Sequence, residues 1–215
     1  MSDSIQRSYD RLAAEYTRRI YGELAEKPFD RKMLDWLVER VGTDGMICDM
    51  GCGPGQVARY LHDRGAAACG VDLSPEMIAQ ARIHSPMINF QQGDMFDLAG
   101  VTDGSYAAIA AFYSIVHVQP DQLPLVFAEF GRVLRKGGTL LLTFHVGDEI
   151  RHFDALWEIP VALDFIFFES EAITHLLSDA GFVITEVIER FPYAESIEAQ
   201  TRRAYIFAQK PHEPS

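Results

Sequence analysis

Apolar positions at Ile5, Tyr9, Leu12, Ala13, Tyr16 and Ile20 recur at helical spacing, so residues 4–21 are predicted to form an amphipathic helix. Pro28 opens a second helix as a first-turn proline, carried by Met33, Leu34, Trp36, Leu37 and Val38 and stopping near Gly42. Beyond it the pattern shortens. Apolar runs at residues 46–50, 66–71, 88–91, 106–111 and 139–145 read as buried strands. Helical stretches fall at residues 56–63, after Ser74-Pro75-Glu76, and at 120–134, so strand and helix alternate down the chain. Short strands joined by crossover helices predict a parallel sheet covered on both faces. The tail departs from the alternation. A helix over residues 169–180 stops at Gly181, and strands at 182–190 and 203–209 close the chain as an antiparallel pair. Residues 146–168, rich in aromatics and acids, are expected to form a partly helical flap over the strand ends.

At 215 residues, with 48% hydrophobic and 23% charged positions, the chain is expected to fold as one α/β domain spanning residues 1–215. Residues 1–42 would supply an N-terminal helical lid. The formal net charge of -12 argues against nucleic acid as a partner, because phosphate contacts need clustered Lys and Arg. No apolar run is long enough to span a bilayer and the N-terminus has no signal-peptide pattern, so a cytoplasmic protein without a membrane partner is expected. Three cysteines, Cys48, Cys52 and Cys69, lack a second Cys or His pair at zinc-site spacing, so no metal is expected.

The most informative run is Asp49-Met50-Gly51-Cys52-Gly53-Pro54-Gly55. Its glycines let the backbone take left-handed conformations and approach a ligand closely, and the helix that follows presents free N–H groups to the loop. Alone the run is a weak signal. Gln56 stands where a dinucleotide fingerprint wants a small residue, and the Gly-Lys-Ser/Thr of a Walker loop is absent. Two further acids follow at strand ends. Asp72, in Gly70-Val71-Asp72-Leu73, suits the two hydroxyls of a ribose, and Asp94, in Gln92-Gly93-Asp94-Met95, suits an adenine amino group. Each also suits a turn. Three such acids at three successive strand ends favour a ligand.

Together with Ser74-Pro75-Glu76-Met77, Leu134-Arg135-Lys136-Gly137-Gly138-Thr139-Leu140 and Ala180-Gly181-Phe182, these segments resemble the successive motifs of class I S-adenosylmethionine-dependent methyltransferases of the small-molecule type. The likeness runs over roughly residues 5 to 210. It implies a Rossmann-like, seven-stranded, mostly parallel sheet with helices on both faces and the last strand antiparallel. It implies S-adenosyl-L-methionine as cofactor and S-adenosyl-L-homocysteine as product. Asp49 and the Gly51, Cys52, Gly53 and Gly55 backbone would hold the methionine part, and Asp72 the ribose. Leu73 and Met77 would flank the adenine, Asp94 would bind its amino group, and Met95 would pack on the ring. Phe112 and Tyr113 would line the sulfonium side.

Such chemistry needs a nucleophile aligned with the methyl carbon and, for some acceptors, a base. His117, just past the fourth strand, is the first candidate base, with Tyr113 and Tyr16 as further catalytic candidates. Tyr9, His145, Tyr193 and Arg202 are candidates for the acceptor side, with Glu195 beside them. For each, a packing or surface role is the competing reading. No Asn-Pro-Pro-Tyr/Phe run follows the fourth strand, which argues against nucleobase or glutamine amino-methylation. Short aromatic lids favour a small, fairly apolar acceptor, with oxygen or nitrogen as the preferred acceptor atom. RNA or protein methylation, or non-methylating binding of the cofactor, are the alternatives, and a monomer or homodimer is expected.

Overall fold

The fold is that of a computed structural model, which describes residues 2–212. Met1 and residues 213–215, the ends of the expected domain and lid, lie outside the described residues. Helices α1 (Ser2–Ile20) and α2 (Pro28–Val41) precede β1 (Met46–Met50), α3 (Gln56–Asp63), β2 (Ala67–Asp72), α4 (Pro75–His84), β3 (Asn89–Gln92) and β4 (Tyr106–Phe112). Then come α5 (Leu123–Val133), β5 (Leu134–His145), a hairpin of β6 (Ile150–Leu156) and β7 (Ile159–Ile166), α6 (Ser170–Asp179), β8 (Val183–Arg190) and β9 (Arg203–Gln209).

Seven strands form one sheet in the order β3-β2-β1-β4-β5-β9-β8. The ladders among β3, β2, β1, β4 and β5 are parallel, and β9 runs antiparallel to both β5 and β8. The expected α/β architecture with an antiparallel last strand is what the chain adopts. One crossover differs from the expected alternation: β3 reaches β4 through turns without a helix.

Alternation along the central strands sends side chains to two separate cores. Leu140, Leu142 and Phe144 of β5 join Phe127 and Phe130 of α5 on one face. Leu141 joins Ile47, Leu34, Leu37 and Leu61 on the other. Burial on both faces makes the strands read as unbroken apolar runs. Among the described residues, no helix is long and apolar enough to cross a membrane.

The flap corrects an expectation. Residues 146–168 hold a two-stranded antiparallel hairpin instead of a partial helix. Its turn is Trp157-Glu158, both at positive φ (50° and 66°), the backbone of a two-residue turn that matches strand twist. Val161 and Leu163 of β7 are buried against Leu12 of α1, with Ile5, Tyr9, Ile159 and Phe165 packed around them. Ser8 Oγ accepts the Ala162 N–H at 3.1 Å. The hairpin and α1 thus share a small core of their own, distinct from the two cores of the sheet. At its other side α1 is tied to α4, where Ser74 Oγ donates to Asp10 Oδ1 at 2.6 Å.

Candidate functional site

In open α/β sheets, ligands bind beyond the strand carboxyl ends, where the strand order reverses. Here that point lies between β1 and β4. A cavity opens there, lined by the ends of β1, β2 and β4, the turn after β3, and α1 from above.

Asp49, 1% exposed, ends β1 and accepts the Ala58 N–H at 2.9 Å. Since α3 begins at Gln56, this bond satisfies a free donor in the helix's first turn and fixes the glycine loop between them. Gly51, Gly53 and Gly55 all have positive φ (73°, 51° and 85°). At Gly55 a side chain would meet the Phe90 ring at 2.7 Å, so glycine is required by both conformation and space. Asp72 locks the loop from the second strand: its Oδ2 accepts the Gly53 N–H at 2.7 Å and its Oδ1 the Ser74 N–H at 2.8 Å. Ser74 Oγ accepts the Met77 N–H at 3.1 Å, the expected cap of α4. Asp94 Oδ1 accepts the Phe96 N–H at 3.0 Å.

Burial dominates the electrostatics. It pushes Asp49 up to about 8, reinforced by the charge on Asp72 and opposed by the Ala58 bond. It pushes Asp72 up to about 6, against the hydrogen bonds from Ser74 and Gly53. Burial likewise raises the phenols of Tyr9, Tyr16 and Tyr113, keeping all three neutral.

His117 lies in a short 3-10 turn after β4. Its Nδ1 is 2.6 Å from the Asp164 backbone oxygen and its Nε2 is 2.7 Å from the Tyr9 hydroxyl. A carbonyl only accepts, so Nδ1 carries the proton and Nε2 accepts from Tyr9. Burial holds His117 down at about 4. Three elements remote in sequence, α1, the turn after β4 and β7, therefore meet in one hydrogen-bonded line.

Asp49, Gly51, Cys52, Gly53, Asp72, Leu73, Met77, Asp94, Met95 and Phe112 all line the cavity, as do Tyr9, Tyr16, Tyr113 and His117. Gly55 does not; it supports the loop from behind. Three expected acceptor-side residues also lie elsewhere. His145 sits between the rings of Tyr113 and Phe167 (centroids 5.1 and 5.2 Å), with Nδ1 2.8 Å from Thr201 Oγ1. Burial and the charge of Arg203 push it down to about 3. Tyr193 accepts the Phe29 N–H at 2.8 Å and lies under the Arg190 guanidinium at 4.2 Å. Arg202 pairs with Glu189 on the surface. Glu195 is exposed. The end of the fifth strand suggested His145, and the connection between the last two strands suggested the others, but none of them lines the cavity.

Sequence reasoning missed Ile5, Glu23, Asp30, Gln56 and Ser114 in the lining. Gln56 and Ser114 adjoin the motifs already singled out, and that adjacency was the available signal. Asp30 arrives with the first turn of α2 and Glu23 with the short 3-10 turn before it, and they had none. Tyr113 adopts φ 52°, an unusual backbone state for a non-glycine residue. It is held there by its N–H, which reaches Thr143 O and Oγ1 at 3.1 and 3.0 Å.

A methyltransferase-domain family model matches residues 47–138. A ubiquinone biosynthesis O-methyltransferase from Xanthomonas campestris is 31% identical over 146 residues, 64% of this chain and 60% of that protein. The chain thus spans less than two thirds of the length of that relative, and these matches support the resemblance to class I S-adenosylmethionine-dependent methyltransferases. A malonyl-[acyl-carrier protein] O-methyltransferase from Enterobacter lignolyticus is 27% identical over 98% of this chain and 81% of its own. Magnesium protoporphyrin IX methyltransferase from Synechocystis, solved with bound S-adenosylmethionine, shares the fold with a TM-score of 0.74 at 18% identity, over 97% of this chain and 96% of its own.

The residues present fit the family's cofactor, S-adenosylmethionine. Gln56 Oε1 and Ser114 Oγ are buried in the lining without a hydrogen-bond partner among the described residues, and a buried unpartnered polar atom points to a missing ligand. Gly53 leaves open space, its nearest neighbour being the Tyr16 ring at 3.8 Å from where a Cβ would stand. No group of three or more His, Cys, Asp or Glu suited to a metal occurs among the described residues.

Proposed function

We propose that this protein is a cytoplasmic enzyme that transfers a methyl group from S-adenosylmethionine to a small organic acceptor. The observation that carries the reading is one cavity lined by both acids and aromatic groups. Asp49, Asp72 and Asp94, from three strand ends, and Tyr9, Tyr16, Tyr113 and His117 all line it. The named relatives include O-methyltransferases, which supports oxygen as acceptor atom.

Bound in this cavity, the cofactor supplies a methyl group already activated by its sulfonium. The chain supplies position and proton handling. Asp72 accepts from the ribose hydroxyls with lone pairs not used by Gly53 and Ser74. Asp94 accepts from the adenine amino group, and Leu73, Met77 and Met95 pack against the ring. The glycine loop, Asp49 and Gln56 hold the methionine part. On the acceptor side, the Tyr9 oxygen has lone pairs free to accept a hydrogen bond while its proton is given to His117 Nε2. A proton leaving the acceptor passes to Tyr9 as Tyr9 gives its own to His117. His117 therefore acts behind Tyr9, a refinement of its expected place as a base in direct contact with the acceptor. The α1–hairpin cover excludes water from this side.

Calorimetry tests the cofactor half: S-adenosylhomocysteine binds to the protein, and Asp72→Ala weakens that binding by about tenfold or more. Labelled methyl transfer to a metabolite panel tests the reaction. Full affinity in Asp72→Ala counts against the site, and absence of transfer to every acceptor counts against the enzyme.

A further inference from the structure

Three consecutive residues of α1 bond to three different elements. Ser8 Oγ accepts the Ala162 N–H of β7 at 3.1 Å, the Tyr9 hydroxyl donates to His117 Nε2 after β4 at 2.7 Å, and Asp10 Oδ1 accepts from Ser74 Oγ at the start of α4 at 2.6 Å. Among the described residues, none of α1 joins the three other apolar clusters of the molecule. Its apolar face goes to the hairpin instead. Leu12 is buried with Val161 and Leu163 of β7, and the Trp157 ring of the hairpin turn lies 5.9 Å from the Tyr16 ring and 5.0 Å from the Arg19 guanidinium.

We infer that α1 and the β6–β7 hairpin lift and seat as one cover, and that Asp10 is the positioning residue that latches this cover to the ribose-binding wall. The inference rests on the cofactor reading of the cavity and adds a residue to it. Separating α1 from the hairpin would expose Leu12, Val161 and Leu163 to water, against the hydrophobic effect. Lifting the two together keeps that core closed. It parts polar contacts instead, Tyr9 and the Asp164 backbone oxygen from His117 and Asp10 from Ser74, and water satisfies those groups once they open. At the far end of α1, Tyr21 holds to α4, its hydroxyl 3.1 Å from Ser85 Oγ and its ring 4.4 Å from that of His84. The pivot falls beside it at Gly22, where the space is open.

Asp10 acts through Ser74, which is 1% exposed and makes three bonds at once. Its hydroxyl donates to Asp10 and accepts the Met77 N–H that caps α4, and its own N–H donates to Asp72 Oδ1 at 2.8 Å. The serine that orients the ribose acid is therefore the group that the cover grips. The grip is a hydroxyl on a carboxylate, a stronger bond than one between neutral groups. With the cover seated, Tyr16 stands over Gly53 of the glycine loop, so a bound cofactor leaves only after the latch opens. Loss of Asp10 then shows in how fast the ligand departs and in the exchange of two segments, α1 and β7, that are remote in the chain.

The test compares the full-length protein with Asp10→Ala, which removes the acceptor, and Asp10→Asn, whose amide oxygen still accepts from Ser74. Hydrogen exchange is read on the ligand-free proteins, and release of S-adenosylhomocysteine by stopped-flow tryptophan fluorescence. In Asp10→Ala, exchange is expected to rise about tenfold in α1 and β7 together, with α4 and the sheet unchanged, and release to quicken about tenfold. Asp10→Asn is expected to stay within about threefold of the wild type in both. Exchange that rises in α1 without β7 overturns the single cover. Unchanged release, an α4 that loses protection as α1 does, or an Asp10→Asn as impaired as Asp10→Ala overturns the latch. Failure of S-adenosylhomocysteine to bind the wild type is a separate result. It removes the cofactor reading and the positioning role with it, while exchange in the ligand-free variants still decides whether the cover moves as one.

Discussion

Asp49→Asn separates what the buried acid does for ligand binding from what it does to folding. Asp49 is 1% exposed, and burial raises its pKa from an ordinary 3.8 to about 8. A folded-state pKa above the unfolded value means stability that is complete below about 4 and lost as pH rises through about 8. Each pH unit in that window costs about 1.4 kcal/mol, so at pH 7 the acid costs the folded state about 4 kcal/mol relative to a neutral isostere, as an upper bound. An amide in its place still accepts the Ala58 N–H that the carboxylate accepts at 2.9 Å, so the α3 cap survives. The substituted protein is therefore expected to be more stable at pH 7 by about 2–4 kcal/mol, with little difference at pH 4. It is expected to bind S-adenosylhomocysteine more weakly. Urea denaturation of the ligand-free protein at several pH values between 4 and 8 measures this directly. Parallel stability curves for the two proteins across that range, or a less stable variant at pH 7, would refute the reasoning.

Binding of S-adenosylhomocysteine is expected to weaken as pH falls through about 6, because Asp72 must be ionised to accept two hydroxyls; calorimetry across pH 5–8 shows that limb in the wild type and its absence in Asp72→Asn. Gly55→Ala places a methyl at φ 85° and 2.7 Å from Phe90, and a loss of about 2–4 kcal/mol is expected from thermal denaturation, with unchanged Tm counting against the glycine requirement. Leu12→Ala empties the centre of the α1–hairpin core, a local loss of about 2–5 kcal/mol; hydrogen exchange is expected to rise in α1 and β7 while the sheet's amides keep their protection. Tyr9→Phe keeps the ring and removes the hydroxyl bonded to His117; on the proposed proton path kcat is expected to fall about 100-fold or more with S-adenosylhomocysteine still bound, and an unchanged kcat removes that path.

The parallel sheet was legible because each central strand is buried on both faces and each crossover carries its own start and stop signals, such as Ser74-Pro75 and Gly181. The flap was misread for a specific reason. The period of two is present in Val161, Leu163 and Phe165, but the turn is Trp157-Glu158, which lacks the Asn-Gly or Asp-Gly signature of a hairpin turn. Tyr193, Arg202 and His145 were placed by strand-end proximity, and proximity along a strand does not say which layer a side chain enters.

By itself the sequence determined the alternating α/β architecture, the glycine loop after the first strand and the three acids at successive strand ends, because those follow from local periodicity and from residues adjacent in the chain. Tertiary structure alone decided the Tyr9–His117–Asp164 line. Tyr9, His117 and Asp164 are 108 and 47 positions apart and meet only because a hairpin packs its apolar face on α1. The same folding pairs Asp30 with Arg190, 160 positions away. Which charges face a ligand depends on where their partners end up, and no local pattern in the chain encodes that.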